Sequence, residues 1–288
     1  MKGIVLAGGT GSRLWPITKG VSKQLIPVYD KPLVHYPLGT LFLADIKDIL
    51  IITTPEDQSS FQRLLGDGSQ YGARIEYAVQ AKPNGIAEAF IIGEDFIAGD
   101  DVALILGDNI FHGAGLGQHL SALNSISGAT IFAYKVSDPE NYSVVEFAAD
   151  WRVISLKEKP TNPKSNYVVP GLYFYDSQVC DIAKQIKPSA RGELEITSVN
   201  EYYLLNNQLK VKILNRGTAW LDSGNVRSMH AAALYIQVIE ERQGSKISCL
   251  EEIAWRKNWI SDNQLIDIAK SYGNNPYGAY LNNLLLEN

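Results

Sequence analysis

The sequence is constrained most by a glycine-rich segment that follows a short apolar run close to its start. The pattern predicts a buried strand over residues 4–7, which ends abruptly at Gly8, Gly9 and Gly11. Glycines let the backbone turn tightly and approach a ligand without a Cβ in the way. Successive backbone N–H groups in such a loop form a concave anion site suited to phosphates, although the same glycines would also suit a plain tight turn.

Two cations, Arg13 and Lys23, follow this glycine loop and could close over the same anion. The dinucleotide fingerprint G-x-G-x-x-G does not match, because Leu14 stands at its last glycine. The Walker pattern does not match either, because Gly11-Ser12 is followed by Arg13 and the required Gly-Lys-Ser/Thr is missing. The segment therefore predicts a site for a nucleoside triphosphate that follows a third pattern.

Strand-like and helix-like patterns alternate through the first half of the chain. They predict strands over 49–53, 74–80 and 102–106, and helices over 33–44, 56–65 and 85–96. Continuous apolar strands separated by helices indicate a parallel sheet that is covered on both faces. Ligands of such sheets lie at the carboxyl ends of strands, so we expect the glycine loop, Gln80 and Asp108 to meet at one edge.

The second half contains shorter strand patterns and ends in helical ones. Strands are predicted over 129–136, 143–147, 153–156, 167–175 and 210–214, and helices over 194–205, 225–242, 250–257, 261–271 and 277–286. We therefore predict an α/β fold with a Rossmann-like, mostly parallel mixed sheet flanked by helices. Inserted β elements and a C-terminal helical appendage complete it.

Composition excludes several classes of function. The net charge is −5 and no basic run is present, which argues against a nucleic-acid partner. No apolar stretch is long enough for a membrane span or a signal peptide, so we expect a cytoplasmic protein. Cys180 and Cys249 are too few for a disulfide framework or a zinc site, and we expect both to be buried. The apolar stripe over 277–285 predicts packing on the core or on a partner subunit.

Asp108 follows an apolar strand, and Asp222 lies in the run Ala-Trp-Leu-Asp-Ser-Gly. An aspartate at a strand end is often only a cap or a turn residue. Two carboxylates that converged on a triphosphate would instead form a Mg²⁺ site, because Mg²⁺ prefers a few carboxylates together with phosphate oxygens and water. Convergence cannot be read from the sequence alone.

The runs LAGGTGSRLWP and SKQLIPVYDKP resemble the signature of the sugar-nucleotide pyrophosphorylases, and most closely that of the short glucose-1-phosphate thymidylyltransferases. The resemblance extends from Met1 to about Leu285. It implies a GT-A-like nucleotidyltransferase that joins dTTP to glucose 1-phosphate and releases pyrophosphate. It also implies that Asp108 and Asp222 hold a catalytic Mg²⁺, that the product serves dTDP-rhamnose biosynthesis, and that the protein is a homotetramer built as a dimer of dimers.

The length and the patterns along the chain predict a domain division, and the resemblance implies a set of site residues. A nucleotidyltransferase domain spans 1–245, with a nucleotide-binding part over about 1–110, a sugar-binding part over about 111–245, and the helical appendage over 246–288 in the same globule. The catalytic residues would be Arg13, Lys23, Asp108, Lys159 and Asp222. The nucleotide would be bound by Gly8, Gly9, Gly11, Gln24, Gln80 and Gly85. The sugar phosphate would be bound by Asn109, Ser143, Glu158, Lys159, Val169 and Arg191, and a regulatory nucleotide by Glu252 and Arg256.

Departures from the family pattern leave the substrate open. Ser143 stands where the family usually has glycine, and Pro170 replaces a threonine beside the sugar pocket. Lys157 replaces a glutamate, His112 stands where a tyrosine is common, and Asn-Val-Arg over 225–227 replaces Thr-His-Asp. Selectivity for dTTP over UTP is a question of shape that the residues do not answer. A uridylyl- or guanylyltransferase, a transferase for another hexose, and a non-catalytic sugar-nucleotide sensor therefore remain alternatives.

Overall fold

The computed structural model of the protein describes residues 1–286. The strands are β1 (Lys2–Ala7), β2 (Pro27–Val28), β3 (Lys31–Pro32), β4 (Asp48–Thr53), β5 (Arg74–Val79), β6 (Val102–Leu106), β7 (Asn109–His112), β8 (Ala129–Lys135), β9 (Ser143–Phe147), β10 (Val153–Glu158), β11 (Tyr167–Val168), β12 (Leu172–Tyr175), β13 (Leu209–Ile213) and β14 (Ala219–Asp222). The helices are α1 (His35–Leu43), α2 (Gln58–Leu65), α3 (Glu88–Ile92), α4 (Glu94–Ile97), α5 (Leu116–Ser121), α6 (Val179–Gln185), α7 (Ile196–Leu205), α8 (Val226–Gln243), α9 (Leu250–Arg256), α10 (Asp262–Ser271) and α11 (Pro276–Leu284).

One large mixed sheet forms the centre of the molecule. It has ten strands in the order β10-β9-β11-β8-β12-β6-β1-β4-β5, with β13 paired to β8. The strands β1, β4, β5, β6, β8, β9 and β13 point in one direction, and β10, β11 and β12 run against them. Because β1, β4 and β6 are covered by helices on both faces, their apolar runs are continuous. The predicted mixed and mostly parallel α/β fold is confirmed.

The helix predicted over 85–96 is wrong, because the structure has two short helices, α3 and α4, with Gly93 between them. Gly85 has φ +114°, and a Cβ there would lie 2.4 Å from the backbone of Leu194. This left-handed region is not part of a helix, so helical structure begins only at Glu88. At Gly93 a Cβ would lie 3.1 Å from the Ile4 side chain and 3.2 Å from the Leu50 side chain, so the junction of the two helices packs closely on the sheet.

The single strand predicted over 167–175 is also wrong, because β11 and β12 are separated by Val169, Pro170 and Gly171. Proline has no N–H and cannot continue a ladder. Gly171 lies against the end of β6, where a Cβ would meet the Leu106 side chain at 2.6 Å. The break brings Val169 beside the start of β9, where its N–H donates to the carbonyl oxygen of Ser143 at 2.8 Å.

Several elements were not predicted, among them the pair β7 and β14. Their antiparallel pairing sets Asp222 opposite Asn109. β7 begins with a polar residue and β14 ends with one, so each sequence is typical of a loop. Each forms a strand only because the other strand supplies its hydrogen bonds. The β2–β3 hairpin and the short helices α5 and α6 were missed as well. The remaining boundaries lie within a few residues of the predictions.

The long helix predicted over 225–242 is confirmed as α8, and its start is explained by capping. The Asn225 side chain accepts from the Ser228 N–H at 2.9 Å, and the Ser228 hydroxyl accepts from the Asn225 N–H at 3.1 Å. This reciprocal pair satisfies two backbone donors that the first turn leaves open. Asn225, a departure from the family pattern, is therefore the N-cap of α8.

The C-terminal helices pack into the main core. Leu250, Leu265 and Leu281 belong to the same buried cluster as Val5 and Phe42. The predicted apolar stripe thus packs on the core, although α11 ends at Leu284 and the last two residues of the predicted appendage lie outside the described range. Within residues 1–286, no helix combines the length and hydropathy needed to cross a membrane. Both cysteines are free and buried, as expected.

Candidate active site

The glycine loop after β1 is shaped by two close approaches of its backbone. A Cβ on Gly8 would lie 2.8 Å from Oε1 of Gln80, so this position accepts only glycine without a shift of Gln80. Gly11 has φ +60°, and a Cβ there would lie 2.9 Å from the Thr18 side chain. By contrast, a Cβ on Gly9 would meet nothing within 4 Å. The backbone at Gly9 is therefore open to a ligand.

Lys23 and Asp108 form an ion pair at the carboxyl end of β6. The Lys23 ammonium lies 2.5 Å from Oδ2 of Asp108, and only 6% of the lysine side chain is exposed. Asn109 donates from Nδ2 to the other carboxylate oxygen at 2.7 Å. Burial alone would raise the pKa of Asp108, but the charge and hydrogen bond of Lys23 hold that pKa below its ordinary value. Asp108 is therefore a fixed anion.

Asp222 lies on β14 next to this pair, and its environment opposes ionisation. Burial raises its pKa first, and the negative charge of Asp108 raises it further. Two neighbouring carboxylates with this repulsion fit a divalent cation. Within residues 1–286, no group of three or more His, Cys, Asp or Glu side chains is arranged for a metal. A metal at Asp108 and Asp222 would thus take its other ligands from water or from phosphate, as Mg²⁺ does.

A cavity of about 610 Å³ opens over the acid pair, which consists of Asp108 and Asp222. It brings together eight residues that the sequence predicted: Arg13, Asp108, Asn109, Ser143, Glu158, Lys159, Val169 and Asp222. Arg13 is exposed, and no ion pair of its guanidinium is present among the described residues. Phosphate-binding and sugar-binding candidates from distant parts of the chain therefore share one cavity.

The predicted nucleotide-contacting glutamines do not line this cavity, and the side chains of both are hydrogen-bonded within the protein. Gln80 is 5% exposed and donates from Nε2 to Glu88 at 2.7 Å and to the carbonyl oxygen of Gly85 at 3.1 Å. Gln24 is also 5% exposed, and its Oε1 accepts from the Ser22 hydroxyl at 2.9 Å. As predicted, Gln80 and the glycine loop meet at one edge of the sheet.

Arg191 does not line the large cavity. It lies in an adjoining cavity of about 350 Å³ that shares Glu158 and Lys159 with the first. Its guanidinium donates to both carboxylate oxygens of Glu195, at 2.8 and 2.9 Å, and to Glu158 at 3.3 Å. The Lys159 ammonium lies 3.7 Å from the same glutamate. Two cations therefore flank the Glu158 carboxylate.

Sequence reasoning missed three aromatic residues of the cavity wall: Tyr142, Tyr173 and Trp220. Trp220 Nε1 donates to Oδ1 of Asn109 at 2.6 Å, and the Gly171 N–H donates to the same oxygen at 3.1 Å. The Asn109 amide is thus hydrogen-bonded to Trp220, Gly171 and Asp108, and it holds the Asp108 carboxylate in position. The run around Asp222 contains Trp220, and this was the signal available in the sequence.

Tyr142 keeps its phenolic proton beside the acid pair. Burial raises the pKa of this tyrosine to about 12, and the charge of Asp222 contributes to the rise. The ring also packs edge-on against Trp220, with 5.2 Å between the ring centroids. Tyr142 is therefore a fixed hydrogen-bond donor on the cavity wall at neutral pH.

The predicted regulatory pair lies in a second cavity of about 350 Å³ that also contains His112. Arg256 donates from Nε to Glu252 at 2.7 Å. Nδ1 of His112 lies 2.8 Å from the Tyr235 hydroxyl. Strand β7 runs from Asn109 in the first cavity to His112 in the second, so one short strand links both cavities.

The fold and the site define a class of protein, and comparison with known proteins supports it. A sequence model of the family described as nucleotidyl transferase matches residues 2–238, and the chain belongs to this family. Within it, the chain is 57% identical to glucose-1-phosphate thymidylyltransferase from Neisseria meningitidis over 99% of both chains. It is 56% identical to the enzyme of that name from Mycobacterium tuberculosis over the full length of both. The resemblance noted from the sequence is confirmed.

Two solved structures are similar in fold. A Bacillus anthracis protein described as a glucose-1-phosphate thymidylyltransferase, crystallised with sucrose, has a TM-score of 0.75 and 42% identity, over 82% of this chain and 94% of that one. A UDP-glucose pyrophosphorylase bound to UDP-glucose has a TM-score of 0.73 and 21% identity, over 83% of this chain and 98% of that one. At that identity the second similarity concerns the fold alone.

Proposed function

We propose that this chain transfers the dTMP moiety of dTTP to glucose 1-phosphate, giving dTDP-glucose and pyrophosphate. One observation carries the proposal: Arg13, the predicted anion-binding residue, and the acid pair share a cavity with Glu158 and Lys159. Such a cavity can hold a nucleoside triphosphate and a sugar phosphate side by side. The names of the full-length relatives support the same reaction.

The reaction requires positioning more than proton transfer. A sugar phosphate already carries anionic oxygens near neutral pH, so attack on the α-phosphorus of dTTP needs no general base. Lys159 would hold the attacking phosphate, and Arg13 would neutralise charge on the triphosphate and on the departing pyrophosphate. Lys23 is paired with Asp108, so its role would be to keep that carboxylate ionised and in place.

We further propose that Asp108 and Asp222 hold Mg²⁺. The fit rests on two partly buried carboxylates that repel one another and so favour a cation between them. When bound, the ion would neutralise charge on the nucleotide phosphates. Asn109 and Trp220 would keep Asp108 oriented toward it through the hydrogen bonds described above.

Arg191 would act on the sugar side in one of two ways. In its observed position it holds Glu158 and Glu195. We propose that it thereby orients Glu158 toward hexose hydroxyls, next to Lys159. The direct grip on the sugar phosphate, predicted from the family motif, would require its guanidinium to leave Glu195.

We also propose a second nucleotide site and a cytoplasmic homotetramer. The cavity at Glu252 and Arg256, with a histidine and a lysine nearby, supports a regulatory anionic ligand. Helix α8 exposes Leu234 and Val238 one turn apart, at 47% and 56%, and this apolar pair supports contact with another subunit.

The first test measures pyrophosphate release with Mg²⁺, glucose 1-phosphate and each of dTTP, UTP, CTP, ATP and GTP in turn. Fast release with dTTP is expected, and the ratio of the dTTP rate to the UTP rate measures base selectivity. Release only with UTP or GTP would overturn the choice of nucleotide. No release with any nucleotide or hexose phosphate, together with product binding in a calorimetric titration, would instead indicate a sensor.

A further inference from the structure

A short chain of hydrogen bonds connects two wall residues of the active-site cavity, Ser143 and Glu158, through Thr197, which lines the adjoining cavity. Ser143, at the start of β9, lines the cavity and is 8% exposed. It pairs across the ladder with Glu158 at the end of β10. The Ser143 hydroxyl lies 3.0 Å from that of Thr197 on α7, and the Thr197 hydroxyl lies 2.6 Å from Oε2 of Glu158. Three elements therefore meet at one point of the wall.

The direction of these hydrogen bonds follows from the number of protons. Thr197 has one hydroxyl proton, and an ionised carboxylate can only accept, so Thr197 donates to Glu158. The remaining contact then requires Ser143 to donate to Thr197. The single Ser143 proton is thus committed to the protein, and only lone pairs of its oxygen are left for a ligand. Together with Glu158, this wall offers hydrogen-bond acceptors.

We propose that Ser143 determines sugar specificity by accepting a hydrogen bond from one hydroxyl of the bound hexose 1-phosphate. This inference rests on the proposed function. A hexose that lacks this hydroxyl, or that carries fluorine there, would leave the buried serine oxygen without a donor. The site would therefore select hexose 1-phosphates with a free hydroxyl at the position that faces Ser143.

The test compares wild type and Ser143→Ala with dTTP, glucose 1-phosphate and its monodeoxy and deoxyfluoro analogues at each ring position. For each analogue, the penalty is the factor by which kcat/KM falls below that for glucose 1-phosphate. At one position we expect the wild-type penalty to exceed that of the variant by about 2- to 10-fold, the range for one neutral hydrogen bond. The deoxy and fluoro analogues should agree there, because neither donates. At all other positions the penalties should be equal.

Ser155→Ala is the matched control. Ser155 lies on the neighbouring strand β10, its hydroxyl donates to Glu146 at 2.9 Å, and it does not line the cavity. It should reproduce every wild-type penalty. Equal penalties in wild type and Ser143→Ala at every ring position would overturn the proposal.

The same design separates this proposal from the proposed function. If the wild type turns over no hexose 1-phosphate, the proposed function fails. Calorimetric titration then measures the dissociation constants of glucose 1-phosphate and its analogues for wild type and for Ser143→Ala, and the penalty is the factor by which each analogue binds more weakly. A wild-type penalty that exceeds that of the variant by about 2- to 10-fold at one position still supports the role of Ser143, and equal penalties throughout overturn it.

Discussion

The largely buried ion pair between Lys23 and Asp108 leads to a quantitative prediction. The two charged groups lie 2.5 Å apart, with 6% and 23% of their side chains exposed. At an effective dielectric constant of about 20, Coulomb attraction at this distance is roughly 7 kcal/mol, which is an upper limit because both ions have lost water. Removing one partner of such a pair costs about 3–5 kcal/mol. We expect this loss in the free energy of unfolding for Lys23→Met.

The cost arises because Lys23→Met leaves Asp108 without its ion-pair partner and removes a positive charge that also acts on Asp222. Urea unfolding at pH 7, followed by tryptophan fluorescence, measures it. Adding Asp108→Asn to Lys23→Met should recover part of the loss, because the unpaired charge is then gone. Lys2→Met is the matched control, since Lys2 pairs with Asp48 at 3.1 Å on a more exposed surface and should cost about 1 kcal/mol or less. The reasoning is refuted if Lys23→Met costs no more than Lys2→Met.

Three further predictions concern the site and the fold. Without metal, the raised pKa of Asp222 stabilises the folded protein at low pH, and this contribution is lost as pH rises through the folded pKa. The Tm of Asp222→Asn relative to that of wild type should therefore rise from about pH 4 upward. A Tm difference that stays the same at every pH, in thermal scans without metal, would contradict this. Arg13→Ala should lower kcat by about 10²- to 10³-fold with an unchanged Tm, and near-normal turnover of the folded variant would remove Arg13 from the mechanism. Gly85→Ala should lower the free energy of unfolding by more than about 2 kcal/mol, because backbone strain at positive φ adds to a 2.4 Å contact with Leu194. Gly99→Ala is the control: Gly99 has φ +81° but open space around it, so only about 1 kcal/mol should be lost. Urea unfolding measures both. Equal costs for the two glycines would show that the contact with Leu194 relaxes freely.

The structure of the predicted nucleotide-binding part, about 1–110, followed largely from the sequence because its signals are local. Apolar runs that end at glycine or aspartate predicted β1 and β6, and the positions of Gly8, Gln80 and Asp108 at strand ends predicted that they would meet. The structure from β7 onward, in and next to the predicted sugar-binding part, was harder to predict. Pro170 and Gly171 divide an apparently continuous strand, and the strand character of β7 depends on a partner from a distant part of the chain.

By itself, the sequence determined the class of fold, the glycine loop and the residue types of the site, because backbone freedom and hydrophobic periodicity are properties of neighbouring residues. Tertiary structure alone decided which of those residues meet. The β7–β14 pairing sets Asp222 beside Asp108, and burial then joins Lys23 to this pair. The hydrogen-bond direction at Ser143 likewise depends on Thr197 and Glu158 from other elements. These contacts depend on long-range packing and desolvation, which no local pattern encodes.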